Sequence, residues 1–426
     1  MYWLGIFFIF ILVVGTPYSL ENSCTRGANE CRLEPEFKYF FFEVSNQEGF
    51  NLRRDVYMRY AIMFSEMHKR NEKLNWKLVL PPFHRLPHWR NENFFRDPVQ
   101  WSSLFDIKSL KSYAPVVEVA EIFKENPPEI NIDRIYSLQN YENAFENGKF
   151  DEKWNIVKCQ YLSQSFWGYT TKTLETMCVK FQGKVSKLWE MVSLHPHDKS
   201  ILINHAEIPL HDSYGTKSYW DCRKSMKFNP NLVQAAEDYI AKHLNCQTSK
   251  CDTYISVHWR RGDFSYGRKN EVPSIKGAAK QIAAAANKQK LKTKNVFVAT
   301  DGSSSEIQQL QDALKEFGYT SFFYLPSQAD LTRFRDGGIA IIEQIICSHA
   351  AYFIGSHEST FTYRIQEERE ILKFDTSTTF NRLCPDKAHL FSRRWARSGV
   401  SRLILGWLSF SQCIDFRRIM NGVAFY

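Results

Sequence analysis

The stretch YISVHWRRGDF, residues 254–264, carries two adjacent arginines at the end of an apolar, strand-like run from Tyr254 to Trp259. Arginine presents a planar fork suited to bidentate phosphate binding. In open α/β sheets, ligands bind just beyond the carboxyl ends of strands. Arg260 and Arg261 are therefore candidate phosphate ligands, set against the alternative of a surface ion pair that contributes little. The RGD tripeptide at 261–263 also matches an adhesion signal, a reading disfavoured by its place at a strand end. A second anion site is read in FIGSHESTFTYR, residues 353–364. There a strand ends at Gly355 and a helix is predicted to begin near Thr360, capped by Ser359 or Thr360. Its free N–H groups would form a phosphate cradle. Together the two stretches suggest a diphosphate gripped by arginine and a helix terminus.

Neither G-x-x-x-x-G-K-[ST] nor G-x-G-x-x-G occurs, which disfavours a P-loop NTPase and a dinucleotide dehydrogenase. No two aspartates lie two residues apart, so arginine and backbone amides would have to supply the charge that a metal supplies in D-x-D sites. Glu48, in QEGFN, falls between the first strand and the first helix and is a candidate general base. The plain alternative is a carboxylate favoured there by the helix dipole. His84 and His88 in HRLPH have metal-ligand spacing for a helix, but Pro82 and Pro87 oppose one.

The elements that would position these residues alternate. KYFFFEV (38–44) reads as a buried parallel strand, residues 52–70 as a helix, and WKLVLPPF as a second strand stopped by two prolines. APVVEV and SILINH are weaker strand candidates. The second half reads more regularly: helices at PNLVQAAEDYIAKHL, IKGAAKQIAAAANKQK, SSSEIQQLQDALKEF, GGIAIIEQIICSHA and TFTYRIQEEREIL interleave with strands YISVHW, NVFVAT, YTSFFYL and AYFIG. Such alternation predicts doubly wound parallel sheets. The length of 426 residues predicts two domains, with the boundary near residues 227–231 and a cleft between two Rossmann-like halves.

Residues 1–20 read as a secretory signal, since the apolar run Tyr2 to Val14 is too short to span a bilayer. Ten cysteines in a secretory chain suggest disulfides, with near pairs Cys24/Cys31, Cys159/Cys178 and Cys246/Cys251. The absence of C-x-x-C argues against zinc. The formal charge of +9 is concentrated at one end: from Pro385 onward the chain contributes +5. The remaining basic bias is too weak for a nucleic-acid footprint.

The blocks EGFNLRRDVY, LVLPP, HW (88–89), YWDCRKSM, HWRRGDF, VPS, VFVATD, STFTYRIQEEREIL and NRLC, in this order and spacing, resemble the thrombospondin-repeat GDP-fucose protein O-fucosyltransferases. The resemblance runs from about residue 38 to Cys384. It implies an inverting, metal-independent GT-B enzyme of the endoplasmic reticulum lumen, expected as a monomer with no membrane span and no cofactor. Its donor would be GDP-β-L-fucose and its acceptors folded thrombospondin type 1 repeats, with Ser or Thr in a C-x-x-[ST]-C-x-x-G context. The implied domains are 38–228, carrying the base, and 229–384, carrying the donor, followed by a divergent basic tail, 385–426. Glu48 matches the family's base. Gln47, Gly49, Phe50 and Asn51 match donor-lining positions. His258 and Arg260 match the nucleotide-sugar grip, with Arg260 on the diphosphate; Trp259 between them is assigned to the same grip, although Trp259 and Gly262 stand where the family is expected to carry Leu and a basic residue. Ser359, Thr360 and Phe361 match the helix-start phosphate contacts. Glu368 matches a carboxylate needed for activity, and Cys159 and Cys178 match a family disulfide. Glu343 stands where the family usually reads guanine with Asp, and a glutamate can accept from guanine N1–H and N2–H if the pocket has room. Cys413 in the tail is a candidate partner for Cys384. Two alternatives remain open: an enzyme of the same class acting on EGF-like repeats, and an inactive secretory module that keeps the nucleotide pocket.

Overall fold

The computed structural model describes residues 37–386, apart from 72–74, 88, 90–97, 124–128, 143–149, 161–164 and 249. The signal segment 1–20, the Cys24/Cys31 pair, His88, Cys413 and the tail beyond Asp386 lie outside the described residues. Among the described residues, thirteen strands form two sheets: β1 Lys38–Glu43, β2 Trp76–Leu80, β3 Val116–Glu118, β4 Glu129–Gln139, β5 Lys153–Val157, β6 Ser165–Phe166, β7 Tyr169–Gln182, β8 Ser200–Asn204, β9 Ile255–Trp259, β10 Asn295–Thr300, β11 Thr320–Phe322, β12 Tyr352–Gly355 and β13 Asn381–Arg382. The helices of nine residues or more are α1 Phe50–Arg70, α2 Lys217–Ser225, α3 Pro230–Leu244, α4 Ile275–Lys288, α5 Ser304–Glu316, α6 Gln328–His349 and α7 Thr360–Ile371.

The first sheet runs β3-β2-β1-β8-β4-β7-β5, with β6 on β7, and is parallel except where β5 and β6 meet β7. The second sheet, β11-β10-β9-β12-β13, is wholly parallel. β1 is buried on both faces, as an apolar run without alternation requires. Phe40 and Phe42 pack toward Tyr60 and Phe64 of α1, while Tyr39 and Phe41 enter a separate core with Val79 and Leu202. Burial of each such side chain contributes about 1.5–3 kcal/mol. β9 divides likewise: Ile255, Val257 and Trp259 face one core, and Tyr254 and His258 the other side. One hydrophobic cluster extends from Phe40 of the first sheet to Ile365 of α7, so the two sheets share a core.

The strand order reverses between β1 and β8 and again between β9 and β12. These switch points are where a doubly wound sheet opens a crevice for ligands.

Several expectations shift in detail. The helix expected from Gly337 begins nine residues earlier at Gln328, where Ser327 and Asp330 form a reciprocal capping box, and it kinks at Arg335. The strand expected over residues 319–325 is limited to Thr320–Phe322. Long β4 and β7, which pair over ten residues, carry no counterpart in the sequence reading. Cys159–Cys178 and Cys246–Cys251 are both bonded, and Cys384 is also in a disulfide. Cys222 and Cys347 are free and buried. Among the described residues, no helix is long and apolar enough to cross a membrane.

Candidate active site

The turn after β1 carries Glu48. Glu48 N–H donates to the Ser45 carbonyl (2.9 Å), closing the turn, and Arg53, one turn into α1, braces it from behind. Arg53 pairs with buried Glu43 at 3.1 Å and donates to the carbonyls of Val44 (2.8 Å), Ser45 (3.1 Å) and Glu48 (3.3 Å). The Glu48 carboxylate itself has no hydrogen-bond partner among the described residues, and burial followed by the charge of Glu207 pushes its pKa up. An unpartnered, partly buried carboxylate of raised pKa at a strand end has the properties of a general base.

Asn51 and Phe50 begin α1. Phe50 is buried among Phe83, Trp89 and Phe105, so its ring belongs to the core and only its backbone can border a ligand. Asn51 faces the second half: its side-chain oxygen accepts from Gln344 Nε2 (2.9 Å) and Arg54 Nη1 (3.3 Å), while Gln344 Oε1 accepts from the same Arg54 nitrogen (2.7 Å). With its oxygen held twice, the Asn51 amide nitrogen is the group left to donate. Gln47 is exposed on the turn, and Gly49 precedes the helix as its N-cap.

At the second switch point the side chains are knotted together. Ser356 Oγ donates to the His258 carbonyl (2.9 Å) and accepts from Arg260 N–H (2.8 Å), while Thr362 Oγ1 accepts from Ser356 N–H (3.0 Å) and meets His258 Nδ1 (2.7 Å). A Cβ on Gly355 would collide with Thr362, so glycine is required for this approach. His258 is buried and stacked on Phe361 at 4.4 Å, and burial followed by the Arg260 charge lowers its pKa to about 3; it is neutral. Arg260 is held at the strand end by Asp263 (2.6 Å) and Asp301 (2.7 Å). Gly262 has no room for a Cβ against Asp301. Arg261, by contrast, turns to Glu306 of α5 (2.7 Å) and lies over the Trp259 ring.

Thr360 begins α7 as expected, with Ser359 at the N-cap, but the Ser359 hydroxyl makes no capping bond. The first amides of α7 thus lack a side-chain partner. Glu343, on α6, is without a hydrogen-bond partner among the described residues; burial, then the Asp301 charge, pushes its pKa up to about 8. A carboxylate starved of donors suits a ligand that offers two N–H groups.

One placement corrects the sequence reading. The Trp259 side chain points into the core with Ile255 and Val257, 1% exposed, because consecutive strand residues face opposite sides; it cannot line a donor site. Glu368 bonds to buried Arg223 (2.8 Å).

That pair ends a run of alternating charges: Arg59–Asp55 (2.8 Å), Asp55–Arg364 (3.5 Å), Arg364–Glu367 (3.0 Å), Glu367–Arg223 (2.8 Å) and Arg223–Glu368. It crosses from α1 to α7 to α2. Asp55 and Arg364 lie about 6–8 Å along their helices from the first residues of α1 and α7. The loops entering both helices therefore border one region, bringing Glu48 and Asn51 to the side where Arg260 follows β9 and Thr360 and Phe361 begin α7. Arg223, Asp301, Glu207 and Gln344 were not singled out from sequence. Asp301 and Glu207, at or just past strand ends, carried a signal that strand-end logic could have used.

The architecture matches POFUT1 in complex with GDP-fucose (TM-score 0.52, 16% identity, 83% of this chain and 97% of that one) and POFUT1 in complex with GDP (TM-score 0.51, 15% identity, 83% and 98%). Two Rossmann-like sheets, each with a switch point in its strand order, make the architecture the GT-B fold.

The chain belongs to the GDP-fucose protein O-fucosyltransferase family, whose model spans residues 39–372. It is similar to "GDP-fucose protein O-fucosyltransferase 2" of Homo sapiens (36% identity over 383 residues, 82% of this chain and 87% of the relative). The proteins of the same name from Caenorhabditis elegans (35% over 394 residues, 84% and 89%) and Drosophila melanogaster (34% over 393 residues, 81% and 79%) are also similar.

Proposed function

We propose that this enzyme transfers fucose from GDP-β-L-fucose to a Ser or Thr hydroxyl of folded thrombospondin type 1 repeats, by one inverting displacement in the lumen of the endoplasmic reticulum. The observation that carries the reading is the Asp55–Arg364 contact, which ties together the helices that follow the two switch points. One presents a carboxylate without a partner, Glu48; the other presents an arginine, Arg260, beside the open helix start at Thr360.

Glu48 takes the proton from the acceptor hydroxyl as its oxygen bonds to the anomeric carbon. The bond from that carbon to the β-phosphate oxygen breaks, and the electron pair leaves with GDP. Arg260 exchanges an aspartate partner for the diphosphate, and together with the Thr360 and Phe361 amides it meets the charge that grows on the leaving oxygen. Attack opposite the leaving group turns the β-linked donor into an α-linked product. Glu343 receives the guanine N–H groups, His258 stacked on Phe361 supports the donor, and the Asn51 amide nitrogen donates to it. Glu368 acts through Arg223 on the setting of α7. No step requires a metal or another cofactor.

The test is a transfer assay with GDP-fucose and chelator, offering folded thrombospondin and EGF-like repeats in parallel. Fucose on the thrombospondin repeat alone is the expected result. Transfer only to the EGF-like repeat overturns the acceptor, loss of transfer on adding chelator overturns metal independence, and GDP binding without transfer overturns the activity.

A further inference from the structure

The end of β8 brings a second carboxylate to the Glu48 turn. Glu207 Oε2 accepts from Ser45 N–H at 3.0 Å, and Ser45 is the residue whose carbonyl holds Glu48 N–H. Glu207 Oε1 faces His205 Nδ1 at 3.3 Å, and the Glu207 carbonyl accepts from Arg59 at 2.7 Å. His205 stands in the left-handed region (φ 59°), a conformation that costs any residue other than glycine and keeps its ring against Glu207. Next to it, Ala206 N–H donates to the Glu43 carbonyl at 2.9 Å, which locks the ends of β8 and β1 together.

The two neighbouring carboxylates are driven in opposite directions. Burial and the Glu207 charge raise Glu48. Burial also opposes ionisation of Glu207, but His205 and the Ser45 N–H outweigh it and keep Glu207 below the usual range. His205 is raised in turn, by Glu207 first and by Glu43 more weakly. The other charges facing Glu48 are Arg53 and Arg59. Both are committed elsewhere: Arg53 to Glu43 and three carbonyls, Arg59 to Asp55 and the carbonyls of Glu207 and Pro209. A pair of carboxylates whose surroundings separate their proton affinities is the pattern of a divided acid–base task.

We propose that Glu207 is the positioning residue of the Glu48 base: it pins the turn from which Glu48 projects and keeps a fixed negative charge beside it, with His205 clamping that charge. The inference rests on the reading of Glu48 as base. Negative charge beside a carboxylate strengthens it as a proton acceptor, which matters when the proton comes from a hydroxyl.

The experiment is the pH dependence of kcat/KM for fucose transfer to a folded thrombospondin repeat, with the full chain and the variants Glu207→Gln, His205→Asn and Glu48→Gln. Glu207→Gln keeps an oxygen for Ser45 N–H and removes the charge. Its acid limb is expected to move to lower pH by roughly one unit, with a severalfold lower plateau and unchanged GDP affinity. His205→Asn, which suits the left-handed backbone, unmasks the Glu207 charge and should move the limb to higher pH. Limbs that coincide with the wild type in both variants overturn the proposal. If Glu207→Gln does not fold, the direction of the His205→Asn shift decides alone. Glu48→Gln with wild-type transfer overturns the base reading itself; an inactive Glu48→Gln with unmoved limbs in the other variants removes only the role of Glu207.

Discussion

Where β1 and β8 end, arginines hold carboxylates; where β9 and β12 end, carboxylates hold an arginine. Arg53 and Arg59 are spent on Glu43, Asp55 and backbone carbonyls, leaving Glu48 without a partner. Asp263 and Asp301 grip Arg260 from two sides and leave the first amides of α7 open. The same architecture thus builds opposite electrostatic sockets. On the proposed reading, the first leaves a proton acceptor for an incoming hydroxyl, and the second holds a cation in store for an anion. What differs is which partner is buried and satisfied, and which is left facing the cleft.

That contrast can be broken most sharply on the base side. Glu48→Ala is expected to reduce kcat by about 10²–10⁴ while titration calorimetry finds GDP affinity unchanged; lost GDP binding would assign Glu48 to the donor instead. On the cation side, Arg260→Ala should cost about 10²–10³ in kcat and also weaken GDP binding, with the melting temperature little altered. Near-normal turnover by this variant would end the diphosphate assignment.

Glu343 sharpens the comparison through pH. Free, its carboxyl sits at about 8, raised by burial and then by Asp301. Guanine donors, on the proposed reading, would favour its ionised form and lower the bound value. GDP affinity should therefore be full above pH 8 and fall as pH drops, by about tenfold between pH 9 and pH 7. Glu343→Gln should flatten that dependence in calorimetry at fixed ionic strength. The smallest effect concerns Gln344. Gln344→Glu keeps an acceptor for Arg54 but removes the donor to Asn51, freeing that amide to flip. Steady-state kinetics should show a rise in donor KM of about two- to tenfold, the value of one net hydrogen bond, with kcat nearly spared.

The two halves also differed in how far they could be read from sequence. The second half is regular because its central strands β9, β10 and β12 are buried on both faces and its helices announce their starts. Asn229, Ser274, Ser303 and Ser327 each cap a helix through the side chain. In the first half, β4 and β7 run side by side without the short strand–helix rhythm, and their mixed exposure hides the period. Glu48, Arg260 and Glu343 were legible because a strand end or a family block marks them. Glu207, Gln344 and Arg223 were not, since each acts on a partner 145 to 293 residues away, and separation in sequence carries no trace of proximity. Trp259 misled because adjacency along a strand is opposition across it.

The chain of alternating charges from Arg59 to Glu368 bears on how such a protein can vary over generations. Each interior member neutralises two neighbours, so replacing one by a neutral residue strands a buried charge, at a cost of about 3–5 kcal/mol. Replacing adjacent members together can be nearly neutral by the same physics. Substitution at Asp55, Arg364, Glu367 and Arg223 is therefore passable in pairs and barred singly. Such positions would drift in step between α1, α2 and α7, in elements that only the folded chain makes neighbours.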